Sequence, residues 1–172
     1  VGQTADLSYA TETGIESLVA SSYAYSRTWY GKEAGLGLSE MGSDLFYSGF
    51  DNKQKSLNSY KLTAESLDGN ANDNPCLDQY WEAFFSAVNV CNTALEYLPK
   101  NTLLAEAKKT QHMGEAHFLR AFYYWHLVNI WGPVPYYKSA INLASTEAFR
   151  DPEEVVYSNI LADLDTAAIQ LE

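Results

Sequence analysis

The segment from Gly114 to Tyr136 constrains the fold of this chain more than any other. Glu115 and Arg120 are expected to be charged anchors in a helix whose apolar residues recur at three- and four-residue steps. One face of that helix can be buried, and it carries Ala116, Leu119, Tyr123, His126, Leu127 and Ile130. Gly132 and Pro133 end the helix, because glycine adopts the left-handed cap conformation and proline cannot continue a helix. We therefore expect the chain to leave through a rigid, exposed turn.

Helical periodicity also marks three other parts of the chain. The predicted helices cover about 13–30, 75–98, 102–130 and 152–172. Only three residues separate the second from the third, so these two helices should fold back as an antiparallel pair. Asp151, followed by Pro152 and two glutamates, is the expected N-cap of the last helix.

The stretch 32–74 lacks helical periodicity and is rich in Gly, Ser and Asn. We predict a loop of about forty residues, and loops of that length are usually functional or disordered. Its aromatic residues argue against disorder.

Size and charge limit the possible functions. The 172 residues suit a single domain, 1–172, that can bury a sizeable core. The formal net charge is −11, with 22 acidic and 11 basic residues and no basic cluster, which excludes nucleic acid as a partner. Aromatic residues make up 14% of the chain, which fits either crowded helix packing or a surface that faces sugars. No stretch is long and apolar enough to span a membrane.

One ordered motif resembles the SusD/RagB family of glycan-binding outer-membrane lipoproteins. An aromatic helix with an Arg-Ala pair is followed by a Gly-Pro-Val-Pro exit, in the runs Glu115-Ala116-His117-Phe118-Leu119-Arg120-Ala121-Phe122-Tyr123-Tyr124 and Asn129-Ile130-Trp131-Gly132-Pro133-Val134-Pro135-Tyr136. The resemblance implies an all-α fold of tetratricopeptide-like stacked helical hairpins with long loops. It also implies that this chain is the N-terminal portion of a longer protein.

The resemblance further implies a role in nutrient uptake. A lipid anchor outside this chain would hold the protein on the outer membrane of a Bacteroidetes-type cell, exposed at the surface. There it would bind oligosaccharide or polysaccharide and deliver it to a SusC-like TonB-dependent transporter. Such capture requires no cofactor, no metal and no catalysis.

The loop around residues 38–53 carries the candidate ligand-binding residues. Sugars are recognised by flat apolar faces with hydrogen-bonding groups beside them, and this loop offers both. The candidates are Phe46, Tyr47, Phe50, Asp51, Asn52 and Lys53. The resemblance implies that Phe50 is a stacking platform and that the three polar residues bind hydroxyl groups, although the loop lacks the tryptophans of the starch-binding members.

Two other functions are weighed against glycan capture. Tetratricopeptide-like arrays commonly bind proteins, so a helical adaptor without sugar binding is the main alternative. An enzyme has less support, because no nucleophile motif occurs and His112 and His117, five residues apart on one helix, cannot share a metal ion. Glu40, Asp44 and Asp51 could supply a hydrolytic carboxylate pair only at a defined separation, which loop spacing does not reveal.

Overall fold

The structure, a computed structural model, describes residues 7–30, 33–47, 49, 55–61, 77–142 and 148–172. The chain divides into two compact units, which we call the helical unit, Val1–Tyr23 with Phe84–Glu172, and the loop unit, Ala24–Ala83. The described residues form helices and contain no strand beyond one isolated β-bridge, Val134 with Asp151. The predicted all-α class is therefore confirmed, whereas a single domain over 1–172 stays a prediction.

Within the described ranges we number seven α-helices and one 3-10 turn. In chain order they are α1 (Glu12–Ala24), α2 (Ser26–Tyr30), α3 (Glu33–Glu40), α4 (Lys55–Ser59), α5 (Leu77–Tyr97), the 3-10 turn (Leu98–Lys100), α6 (Glu106–Trp131) and α7 (Glu153–Leu171).

One hydrophobic cluster in the core of the helical unit lies among α1, α5 and α6. It contains the aliphatic side chains of Ile15, Leu18, Val19, Ala94, Leu98, Leu104 and Ala116. The face that the sequence predicted for α6 is buried except at Ile130, which is half-buried. On the other side, α7 packs along α6. The periodicity thus identified the face on which the helices stack.

The first helix is shorter than the sequence predicted. Continuous periodicity favoured one helix over about 13–30, but α1 ends at Ala24 and α2 begins at Ser26, with a turn at Tyr25 between them. The hydroxyl of Tyr123 donates to the carbonyl oxygen of Ser22 at 2.5 Å. In an unbroken helix that oxygen would accept from residue 26, so tertiary packing competes with the helix at the point where it breaks.

The predicted forty-residue loop was wrong in part. Within 32–74 the structure has α3 and α4, of eight and five residues. Short helices rich in Gly, Ser and Asn carry little periodic signal, so composition concealed them. The loop unit is anchored by Tyr80, which is 1% exposed, packs edge-on against Trp29 and donates its hydroxyl to the Thr28 carbonyl.

Candidate functional site

The predicted sugar-binding residues are only partly within the described chain. Phe46 and Tyr47 follow α3 in the loop unit, where their exposed fractions are 43% and 78%. Phe50 and the segment 51–53, which contains the three predicted hydroxyl partners, lie outside the described residues. The structure therefore presents two of the predicted aromatic side chains to solvent, and the ligand-binding roles of all six residues stay predictions.

Another exposed aromatic residue of the loop unit, Tyr60, follows α4 in an unusual conformation. Its φ is +54°, the left-handed region that L-residues with side chains avoid. The Tyr60 amide donates to the Leu57 carbonyl at 3.3 Å and the Lys61 amide to the Ser56 carbonyl at 3.0 Å. These two bonds form a Schellman cap, whose left-handed position is normally glycine. A tyrosine there costs about 1 kcal/mol or more relative to glycine, which points to a role for its side chain.

The phenol of Tyr60 is held in place at its outer end. Its hydroxyl donates to the carbonyl oxygen of Gly42, in the turn that precedes Phe46 and Tyr47. Gly42 has φ +88°, and a Cβ at that position would lie 2.8 Å from the Leu57 carbonyl oxygen and 3.3 Å from Cζ of Tyr60. Glycine thus lets the turn approach α4 closely. The contact holds Tyr60, which is 80% exposed, against the turn that precedes Phe46 and Tyr47.

Tyr60 was missed from the sequence because the Asn-Ser-Tyr-Lys stretch resembles any polar loop. Only the αL backbone and the contact with Gly42 single it out. Phe46, Tyr47 and Tyr60, which we call the aromatic platform residues, offer flat apolar faces, and the two tyrosines carry phenolic hydroxyl groups at their edges. Such groups can pack against the C–H faces of a sugar and bind its hydroxyls.

A polar cluster in the helical unit surrounds the Arg120 anchor. The Arg120 guanidinium donates to Asp163 of α7 in a two-pronged ion pair, from Nε at 2.8 Å and from Nη2 at 2.6 Å. His117 lies 2.8 Å from the same carboxylate and the Tyr136 hydroxyl donates to it at 3.0 Å. A fourth residue, Asn92, accepts from Arg120 Nη1 at 2.7 Å. The arginine therefore links α5, α6 and α7.

Protonation states in this cluster follow from burial and pairing. Burial disfavours the charged Asp163 carboxylate, but hydrogen bonds from His117 and Arg120 and the arginine charge outweigh it and lower its pKa to about 2. Burial opposes the charge of Arg120 as well, yet the bonds to Asp163 raise its pKa. Burial raises the pKa of Tyr136 well above its usual value. Arg120 and Asp163 are thus a stable buried ion pair at neutral pH.

The same cluster fixes the segment 132–142, which begins with the Gly-Pro-Val-Pro exit and which we call the strap. Its backbone is bound mainly by side chains of the helices. The Asn92 amide donates to the carbonyls of Tyr137 at 2.9 Å and Ser139 at 3.1 Å. The hydroxyl of Tyr124 accepts from the Tyr137 amide at 2.7 Å, and Asn89 exchanges two bonds with the backbone of Ile141, at 2.7 and 3.3 Å.

One expectation about the strap was wrong in part, and one about the helix after it was wrong. The exit is only partly exposed, because Pro133 is exposed whereas Val134 is fully buried and Pro135 is buried as well. Asp151 does not cap the last helix. Its carboxylate accepts from the Tyr136 amide at 2.8 Å, and α7 begins after Pro152 without a side-chain cap. The expected cap residue therefore binds the strap. Gly132, by contrast, has the predicted positive φ, +66°.

The other chemistry-bearing residues of α6 have separate partners. His112 lies 3.1 Å from Glu115, which also accepts from Gln111 at 3.1 Å, so the second predicted anchor is engaged. His117 instead faces Asp163. Within the described ranges no group of three or more His, Cys, Asp or Glu residues could hold a metal ion. No helix in that part of the chain is long and apolar enough to cross a bilayer.

An apolar groove of about 170 Å³ runs between α6 and α7. Every lining residue is hydrophobic, namely Phe118, Ala121, Phe122, Trp125, Ile160 and Leu164. Phe118 and Trp125 are nearly half exposed. With no polar group to satisfy hydroxyls, this groove suits an apolar partner surface and not a sugar.

The described residues thus form a scaffold of stacked helices, and the loop unit exposes aromatic side chains. The chain belongs to the SusD-like family, whose model, described as starch-binding and associating with the outer membrane, matches residues 7–171.

Curated and solved relatives agree with this assignment. The chain is 26% identical to SusD-like protein P25 of Formosa agariphila over 175 residues, which cover 95% of this chain and 32% of that protein. A laminarin-binding SusD-like protein superposes with a TM-score of 0.75 at 20% identity, covering 93% of this chain and 34% of that one. A structure solved with xylogluco-oligosaccharide superposes with a TM-score of 0.70 at 25% identity, covering 92% of this chain and 30% of that one. The chain thus spans about a third of the length of these relatives, and the tetratricopeptide-like stacking is confirmed.

Proposed function

We propose that this chain is the N-terminal helical part of a surface glycan-binding protein and that its loop unit contacts oligosaccharide. The observation that carries the proposal is Tyr60, a solvent-exposed tyrosine in a left-handed cap position where glycine would cost less. Backbone strain of this kind is commonly retained where a side chain is needed in a fixed place. The Gly42 contact restricts that side chain before any ligand binds, which reduces the entropy lost on binding.

The composition of the site supports a neutral ligand. The platform residues supply aromatic faces without a basic cluster, and the chain is acidic overall, with a formal charge of −11. Phe50 with Asp51, Asn52 and Lys53, which follow directly in the sequence, would add a further aromatic face and hydroxyl partners. The relatives solved with xylogluco-oligosaccharide or named for laminarin binding support a glucan-type polysaccharide as the first ligand to test.

We further propose that the whole protein is lipid-anchored on the outer membrane and delivers glycan to a SusC-like TonB-dependent transporter. Family membership supports this location. The helical unit would supply the face that packs against the transporter. The apolar groove between α6 and α7 supports that part of the proposal, because it exposes aromatic rings that water solvates poorly.

The same groove favours the competing function, a protein-binding adaptor without sugar binding. Both functions predict that Trp125→Glu, which puts a charge on the rim of the groove, abolishes a protein contact. Only glycan capture predicts sugar binding by the loop unit, so sugar binding separates the two.

The test is calorimetric titration of this chain, and of the full-length protein that contains it, with maltoheptaose, laminarihexaose and a xyloglucan oligosaccharide. Three variants probe the site: Tyr47→Ala, Tyr60→Ala and Phe50→Ala. Phe149→Ala is the matched control, because Phe149 is 83% exposed and belongs to the other unit. Loss of one aromatic contact should weaken binding by about 1 kcal/mol, or about fivefold, and the control should bind like the wild type.

If the full-length protein binds none of these sugars, the adaptor function is favoured and glycan capture is rejected. If it binds sugar with unchanged affinity in all three variants, capture stands and the assigned residues are wrong.

A further inference from the structure

We infer that the helical unit carries a second saccharide site, in the groove beside the turn that joins α5 to α6. The inference rests on the proposed function, because it assumes that the ligand is a glycan. The groove has a volume of about 250 Å³ and is lined by Tyr9, Ala10, Tyr97, Lys100 and Asn101. All of these residues belong to the helical unit.

The walls of the groove are two tyrosine rings. Tyr9 and Tyr97 lie with ring centroids 5.1 Å apart, inclined at 67°. Both pack on the core cluster that contains Leu98, so neither ring is free to turn away. Each is only half-buried, which leaves part of its surface open to the groove. Rigid aromatic surface of this kind binds the apolar face of a pyranose at low entropic cost.

The floor is held by Asn101, which is 2% exposed. Its side-chain amide donates to the carbonyls of Tyr9, Ala10 and Thr11, at 3.1, 3.2 and 3.4 Å. Its side-chain oxygen accepts from the amides of residues 103 and 104, at 3.0 and 2.9 Å. The segment before α1 and the turn after α5 are thereby joined. The groove is preformed, and Asn101 itself has no capacity left for a ligand.

The rim provides groups for hydroxyls. Lys100 Nζ donates to Glu96 Oε1 at 3.0 Å and lies 5.2 Å from the centre of the Tyr97 ring. Both charged side chains are largely exposed, at 63% and 43%, so moving the ammonium off the ring costs no more than about 1 kcal/mol. An ammonium donor beside a carboxylate acceptor matches two neighbouring hydroxyls of a sugar. Because the two charges cancel, the rim favours a neutral sugar over a uronic acid.

The size of the groove sets how much of a glycan it holds. Its volume lies below the ~300–1,000 Å³ of sites for drug-sized ligands. It therefore suits one pyranose ring of a longer chain, as an auxiliary contact that adds avidity and does not select the linkage.

The test uses 15N–1H correlation spectra of the isotopically labelled 172-residue chain, titrated with maltoheptaose, laminarihexaose and glucuronic acid. Saturable shifts are expected at the amides of Tyr97, Lys100 and Asn101 with the neutral sugars. Tyr97→Ala and Lys100→Ala should each weaken this binding about fivefold or more. Tyr97→Phe keeps the ring and should retain most of the affinity, which separates a lost contact from lost folding. Lys138→Ala is the control for removal of an exposed lysine.

Outcomes for the two sites are distinguishable. Shifts confined to residues 42–61 would overturn the second site and leave the proposed function standing. Shifts at the turn that do not saturate, or that are unaffected by Lys100→Ala and Tyr97→Ala, would overturn it too, as would tighter binding of glucuronic acid than of the neutral sugars. Saturable, variant-sensitive shifts at the turn without any at the loop unit would support the second site and count against the first.

Discussion

Replacing Asp163 with asparagine tests whether the buried ion pair anchors the helical unit. The Asp163 side chain accepts from Arg120 and Tyr136 and contacts His117, all within 3.0 Å. Asparagine keeps the shape but removes the charge, so it leaves the buried guanidinium without its counter-ion. Removing one partner of a buried pair typically costs about 3–5 kcal/mol.

The pKa of Asp163 gives a second measure of the same effect. Folding lowers this pKa from 3.8 to about 2, which corresponds to about 2.5 kcal/mol of stability from the ionised form. The two measures together predict a loss of about 3 kcal/mol, and the melting temperature should fall by about 6–12 °C. Thermal and urea unfolding followed by circular dichroism would measure it at neutral pH. Asp165→Asn, an exposed change on the same helix, should stay within about 0.5 kcal/mol of wild type.

The difference between wild type and Asp163→Asn should also depend on pH. The pKa of this carboxyl is lower in the folded state, so the unfolded state binds its proton first as the solution is acidified. Stability from the ionised form is therefore complete above about pH 4 and is lost as pH falls towards 2. A loss below about 1 kcal/mol at neutral pH, or one equal to that of Asp165→Asn, would refute the assignment of Arg120 and Asp163 as the anchor.

Three further predictions follow from individual residues. Tyr60→Gly should stabilise the loop unit by about 1 kcal/mol in urea unfolding, because glycine relieves the left-handed φ. The same variant should bind sugar more weakly. A destabilised variant would show that the hydrogen bond from the phenol to Gly42 outweighs the backbone cost. Burial lowers the pKa of His126 to about 4 from 6.5, so the unfolded state takes up the proton first. Stability should therefore fall between pH 6.5 and 4, and the fall over that range should be smaller in His126→Phe. Burial raises the pKa of Cys91 to about 12, so a thiol reagent at pH 8 should modify it only on global unfolding. With Cys76 replaced by serine, fast modification of the native chain would contradict the burial of Cys91.

Much of the helical unit was predictable because its signal is local. The face of α6, the cap at Gly132 and the antiparallel turn after α5 follow from spacing within one or two helices. The partner of Arg120 could not be predicted, since Asp163 lies forty-three residues away and no periodic pattern distinguishes it from other acidic residues of α7. Asp151 was misassigned as a helix cap for the same reason, because its carboxylate accepts from the Tyr136 amide only when the strap lies beside it in the fold.

The candidate site was less accessible to sequence reasoning than the fold. Phe46 and Tyr47 were identified by residue type alone, and the structure adds only that both are exposed. Tyr60 could not be identified because its distinguishing property is a backbone angle that residue type argues against. A loop whose conformation is set by contacts with other segments carries little of that information in its own residues.

The strap has a further consequence for how this chain tolerates change. Asn89, Asn92 and Tyr124 bind the strap through its amides and carbonyls, so they are indifferent to most side chains it carries. Saturation mutagenesis should therefore find exposed strap positions such as Lys138 and Ser139 permissive, while conservative changes on the helices, Asn92→Asp among them, are not. Related sequences should then vary most at the exposed positions of the strap and least at the helix residues that bind its backbone.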